Sequence, residues 1–400
     1  MNWVIIPELV IEVDEALQAA KILNENHVDA VVVISGTFHL GHLVLLINRE
    51  IRKPILLWGL PELPYDGGKI RLNSVCGVNL NASNLYKSGM RSYYAIVQNT
   101  IDENWIDAIR IQVALKNSRI GIVGYRAHGF FNLDIDELDV NHKLGLLIDH
   151  YELAEIWNFE AKKEDIETRK GQLSSIFDIS KLSDAQLEKV ATLSVKLNNF
   201  MNKYKLDAIA IRCWPEFAEN FGISPCAAMS LLQSEGKIIT CEGDLGGAIS
   251  MVAHRAVGGE TPFLADFSQV NFDENFALLW HCGVAACNLS DGRCNPTLDT
   301  YFAGGKGVTA GFVMKPGDVS ICRLDSAGQE MRVYLQRGKG IPMDKLLSGT
   351  YMKCIFEKHI RDVLQTIIEN GVAHHLSVVY GDFIKPFEIF AKINGWRVIQ

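Results

Sequence analysis

The chain has 400 residues, more than one hydrophobic core usually serves, so two or three domains are expected. Hydrophobic residues make up 48% and charged residues 22%, a balance that excludes a disordered or fibrous chain. The formal net charge of −8, with no basic run, argues against a nucleic-acid partner, because phosphates are held by a basic surface.

The start, Met1-Asn-Trp-Val-Ile-Ile-Pro-Glu8, lacks the basic segment and cleavage site of a signal peptide. Residues 3–6 read as a strand and 14–26 as an amphipathic helix. Ala30-Val-Val-Val-Ile-Ser35 is a second apolar strand, followed by Gly36-Thr-Phe-His39-Leu-Gly-His42, a helical stretch, and a third strand over Pro54–Trp58. Continuous apolar strands alternating with helices predict a parallel sheet covered on both faces. Helical patterns continue over about 82–116, and Arg119-Ile-Gly-Ile-Val-Gly124 then restarts a strand. A long helix is predicted over 184–204 with Ser183 as its N-cap, and Asp207–Cys213 reads as another buried strand. Cys241 to Val257 reads as a helix with acidic residues at its start, where the helix dipole favours them.

After about residue 258, Gly and Pro break short apolar runs at 262–267, 276–282, 308–314, 317–324 and 331–336, the spacing of antiparallel strands. A helix is expected at about 351–370, then His374-His375 in a strand-like end. The domains expected are 1–117, 118–257 and 258–400. No apolar run is long enough to cross a bilayer. Nine cysteines without a CxxC pair suggest neither a disulfide framework nor a structural zinc site, and fit reduced thiols in a cytoplasmic protein.

Four segments could carry chemistry: Cys241-Glu242-Gly-Asp244, Ala265-Asp266, Trp280-His281-Cys282-Gly283 and Ala373-His374-His375. Each has a plain structural reading when taken alone: acids at a helix start, a turn acid, and satisfied core histidines. Together they offer two carboxylates and one or two imidazoles, a ligand set for Mn²⁺ or Mg²⁺. Such a cation can hold adjacent oxygens of a hydroxy-carbonyl compound, while nearby carboxylates move a proton between its carbons. Trp214 either stacks on a sugar face or fills the core. Arg126 either holds an anionic substituent or is an exposed loop arginine. Gly304-Gly-Lys306-Gly lacks the strand-then-helix context of a phosphate loop and reads as a hairpin or lid.

These segments, with Cys213-Trp214-Pro215-Glu216 and Lys315-Pro-Gly-Asp318-Val, resemble the L-fucose/L-arabinose isomerase family in order and spacing. Asp266 stands 24 residues after Glu242, and Asp at that position resembles the fucose branch. The resemblance implies two Rossmann-like α/β domains followed by a domain rich in antiparallel strands. It implies that Glu242 and Asp266 ligate a divalent cation (Mn²⁺, or Mg²⁺ or Co²⁺) and also serve in proton transfer. The late ligand would come from His374-His375, with His375 favoured. His281 aligns with a fourth ligand in the arabinose branch, whereas in the fucose branch that position supports a ligand or faces the substrate. His374, Trp214 and Arg126 are the further candidates to face the substrate. His39 would reach a neighbouring subunit's site in a closed homo-oligomer, a hexamer being favoured. The activity implied is aldose–ketose isomerisation of a monosaccharide through an enediol. A non-catalytic sugar-binding protein is the first alternative, but it would not need Glu242, Asp266 and a histidine to converge. A metal-dependent hydrolase is the second, and it demands a second metal and more ligands than these.

Overall fold

The computed structural model describes residues 1–258, 260–302 and 305–400. The chain forms two compact units, one of residues 1–113 with 385–397, the other of 114–384 with 398–400.

The first unit holds a parallel sheet in the order β1 (Val31–Ser35), β2 (Ile55–Gly59) and β3 (Tyr93–Val97). The helix Val13–Glu25 opens with a capping box between Glu12 and Glu15. Its spacing turns Ala16, Ala20 and Leu23 into one core with Val44 and Ile47 of the next helix and Ile55 and Leu57 of β2. Residues 3–6, expected as a strand, pair with nothing. They still alternate, with Val4 and Ile6 packed inward and Trp3 and Ile5 exposed. That period of two is what the strand reading detected. The helical reading of 82–116 also missed β3, a five-residue apolar run between the helices Ser74–Lys87 and Glu103–Asn117.

The second unit begins with another parallel sheet, β4 (Arg119–Val123), β5 (Leu147–Tyr151), β6 (Ala208–Ile211) and β7 (Ile238–Thr240), in the order β5-β4-β6-β7. Ser183 caps the helix Asp184–Tyr204 as expected, accepting from the Gln186 N–H. The strand-rich part follows: β8 (Phe263–Asn271), β9 (Phe276–His281), β10 (Thr297–Phe302), β11 (Gly307–Val313), β12 (Gly317–Ala327), β13 (Glu330–Ile341), β14 (Thr350–Phe356), β15 (His375–Tyr380) and β16 (Arg397–Ile399). Their order is β10-β11-β14-β9-β8-β15-β12-β13-β16, and β13 also pairs with β14. Strands β14-β9-β8-β15-β12-β13 therefore close on themselves as an antiparallel barrel, which leaves no open edge within that ring. The architecture is α/β, with parallel sheets and an antiparallel C-terminal part, as expected.

Two local expectations change. The helix expected at 351–370 is split into β14 and the helix Ile360–Glu369, with His359 as its N-cap. The helix expected from Cys241 starts at Leu245 instead, because the Asp244 side chain caps it by accepting from the Gly247 N–H at 2.9 Å. Glu242 thus sits in the turn before the helix, free to serve a site. No helix among the described residues is long and apolar enough to cross a membrane.

Candidate metal centre

In a parallel sheet, ligands gather outside the carboxyl ends of the strands, where the strand order reverses. Here that edge carries Gly124–Ala127 after β4, Arg212–Trp214 after β6 and Cys241–Asp244 after β7. A crevice of about 310 Å³ opens there, lined among others by Gly124, Tyr125, His150, Tyr151 and Arg212.

The turn after β7 is held in a demanding shape. Glu242 (φ 63°) and Gly243 (φ 72°) both lie in the left-handed region. A Cβ on Gly243 would stand 2.2 Å from the Tyr125 carbonyl oxygen, so only glycine fits. The Gly243 N–H donates to the Ile211 carbonyl at 2.9 Å, and the Glu242 carbonyl accepts from the Ala127 N–H at 3.0 Å. These backbone ties to the ends of β4 and β6 fix where the Glu242 carboxylate points.

The barrel supplies the other groups. Asp266 of β8 stands directly opposite His375 of β15 in the ladder. His375 Nε2 lies 3.5 Å from Glu242 Oε2 and 3.5 Å from Asp266 Oδ1. His374 Nε2 donates to Glu242 Oε2 at 3.3 Å. His281, at the end of β9, completes a second cluster with Asp266 and His375, in which one ligand atom from each lies within 4.8 Å of the others. The Nε2 atoms of His375 and His281 are buried and have no hydrogen-bond partner among the described residues. Buried polar atoms are normally paired, so orphaned imidazole nitrogens beside two carboxylates fit a cation-binding centre.

Behind the centre lies an ionic relay. Asp244 Oδ2 accepts from His375 Nδ1 at 3.0 Å. The same carboxylate receives both arms of Arg323, at 2.6 and 2.9 Å, with side-chain exposures of only 1% and 0% for the pair. With its Nδ1 proton held by Asp244, His375 turns the Nε2 lone pair toward Glu242 and Asp266, the usual arrangement behind a metal-bound imidazole. Burial opposes the charged form of His375, but Asp244 more than offsets this and raises its pKa. A proton and a cation compete for that lone pair. Burial likewise opposes ionised Glu242, yet the hydrogen bond from His374 and the neighbouring imidazoles hold its carboxyl below the usual range. Asp244 is also desolvated, and Arg323 and His375 draw its pKa far down.

The structure thus brings together Glu242, Asp266, His281, His374 and His375. Trp214 stands near them through Phe130, whose ring lies 6.3 Å from Trp214 and 5.4 Å from His374. The Arg126 guanidinium pairs with Asp134 and donates to the Tyr125 hydroxyl at 2.6 Å. His39 belongs to the first unit, where it shares a 2.7 Å hydrogen bond with Ser35 Oγ. Of the segment read as a hairpin or lid, Gly304 lies outside the described residues. Sequence reading missed Arg323, Asn132 and Phe130, and treated Asp244 only as a helix-start acid. Arg323 carried a usable signal: a charge inside the apolar run Val319–Leu324 demands a buried partner of opposite sign.

Residues 3–110 match the family described as fucose/sulfoquinovose isomerase, N-terminal domain. Over those residues the chain is similar to that family. A sulfoquinovose isomerase of Priestia megaterium is 27% identical to this chain over 393 residues, covering 95% of the chain and 87% of the relative. One from Alkalicoccus urumqiensis is 25% identical over 386 residues, covering 93% and 86%. One from Clostridium sp. is 24% identical over 350 residues, covering 84% and 78%.

Proposed function

We propose that this chain is a divalent-metal-dependent aldose–ketose isomerase. The convergence of Glu242, Asp266 and His375 around an orphaned buried nitrogen carries this reading. Glu242, Asp266 and His375 would hold the cation, Mn²⁺ being the first choice for two carboxylates and one imidazole. His374 is the poorer ligand, because Asn132 Nδ2 donates to its Nδ1 at 3.0 Å and its Nε2 proton faces Glu242. Bound there, the cation would polarise the sugar carbonyl. Glu242 and Asp266 would exchange the proton between C1 and C2, which pairs the oxidation of one carbon with the reduction of the other. His374, Trp214 and Arg126 would face the sugar, and His39 would complete the site of a neighbouring subunit in a homo-oligomer, a hexamer being favoured. Sulfoquinovose, the sugar in the relatives' names, is the first substrate to test.

Exhaustive chelation is expected to abolish conversion of sulfoquinovose to its ketose, and added Mn²⁺ is expected to restore it. Chromatography of the two sugars, with metal content measured in parallel, checks this. Full turnover by protein holding far less than one cation per chain sinks the reading.

A further inference from the structure

The unpaired segment at the start of the first unit is apolar on both of its faces. Val4, Ile6 and Val10 pack on the core of that unit, while Trp3, Ile5, Leu9 and Ile11 point to solvent. Exposure reaches 78% at Ile5 and 80% at Leu9. The segment is clamped at its end, where the Ile11 and Glu12 N–H groups donate to Glu15 Oε2 at 2.6 and 2.9 Å. Val13 and Leu17, one turn apart on the helix Val13–Glu25, continue the exposed apolar run. These six residues expose about 700 Å², close to the ~800 Å² that each partner buries in a stable protein–protein interface. The largest apolar patch of an ordinary monomer is about 300–600 Å². Single exposed apolar residues need no explanation, but an apolar face of this size, held from behind by the core, does.

We propose that this face is an interface between two copies of the chain, which lay it on one another across a two-fold axis. Such a contact presents the same patch from both sides, so it closes and leaves no apolar surface to propagate. The inward packing of Val4, Ile6 and Val10 and the Glu15 clamp hold the face in place beforehand, so association orders little more. Charge selects against a membrane. Glu8, Glu12 and Asp14 are exposed along the segment and no basic residue precedes Lys21, so anionic lipid repels it. The same acids give the interface a signature, because salt screens their mutual repulsion and tightens the pair. The inference rests on the homo-oligomer of the proposed function and not on its metal chemistry.

Sedimentation velocity of the full chain, over a range of concentrations at low and high salt, tests this. Ile5→Asp and Leu9→Asp each put a charge into the face at a site exposed in the single chain, and circular dichroism checks that the fold is kept. The wild type is expected to sediment as an assembly that tightens as salt rises. Each variant is expected to raise the dissociation constant of the two-fold contact by about 100-fold or more, so that the assembly falls to half its mass at equal concentration. A monomeric wild type overturns the proposal, and so do folded variants that keep the wild-type mass. A monomeric wild type that floats with phosphatidylcholine vesicles assigns the face to lipid instead. Should neither variant fold, the wild type decides, because an assembly that loosens as salt rises is held by paired charges and overturns the proposal. Isomerisation of sulfoquinovose by a monomeric wild type would sink this inference and leave the isomerase reading standing. An assembly that halves as expected, but binds no Mn²⁺ and isomerises no sugar, would support the interface and sink that reading.

Discussion

Glu242→Gln is expected to lower turnover by about 100-fold or more, and Asp266→Asn to do the same. Each exchange keeps the shape of the side chain and removes its charge and basicity, so on the proposed function a metal interaction and a proton acceptor would be lost at once. At Glu242 the amide brings a further conflict, since its NH₂ can turn toward the His374 Nε2 proton that the carboxylate now accepts at 3.3 Å. The measurement is kcat at saturating Mn²⁺, beside a circular dichroism spectrum to confirm the fold. Near-normal turnover in either variant would show that its carboxylate is structural.

Asp244→Asn is expected to damage the centre from behind. Asn is as good a helix N-cap as Asp, so the helix Leu245–Val257 keeps its start. The relay fares worse, because the carboxylate accepts from Arg323 twice and from His375 once. An amide has one acceptor oxygen. If it faces Arg323, its NH₂ meets His375 Nδ1, drives the imidazole into the other tautomer and places a proton where the cation should bind, as a tautomer switch disables other enzymes. Cation affinity should fall by about 10–100-fold. Leaving the Arg323 charge buried without its partner should cost about 3–5 kcal/mol of folding stability. Calorimetric titration with Mn²⁺ and urea unfolding of the metal-free protein read the two effects separately. An unchanged dissociation constant would reduce Asp244 to a helix cap.

Much of this was legible in the residue order, because both kinds of sheet have plain signatures. The apolar runs at 119–124 and 207–213 announced a parallel sheet, and the punctuated runs after 258 announced antiparallel strands. What failed to show was decided over longer distances. β14 reads as the start of a helix because Tyr351, Met352, Cys354 and Phe356 suit either state, and its pairing with β9 and β13 decides between them. The clustering of Glu242, Asp266, His281 and the His374-His375 pair was foreshadowed by family spacing, since nothing local ties a turn to three distant strands. The tautomer of His375 could not be foreseen, because it depends on a hydrogen bond that its Nδ1 proton donates to Asp244 only in the folded chain.

The left-handed backbone at Glu242 has a consequence for what selection can preserve. A side chain in that conformation costs about 1–2 kcal/mol that glycine escapes. Against that, glycine would lose the hydrogen bond from His374 and the attraction of the neighbouring imidazoles, which outweigh the burial of the carboxylate, and would free the unfolded chain. The terms oppose one another, so metal-free Glu242→Gly protein is expected to stay within about 1 kcal/mol of the parent in urea unfolding while doing no chemistry, and a larger change in either direction would contradict this. Random drift judged by durability alone would scarcely register that exchange. On the proposed function, the acid at 242 is thus a position that stability does not guard.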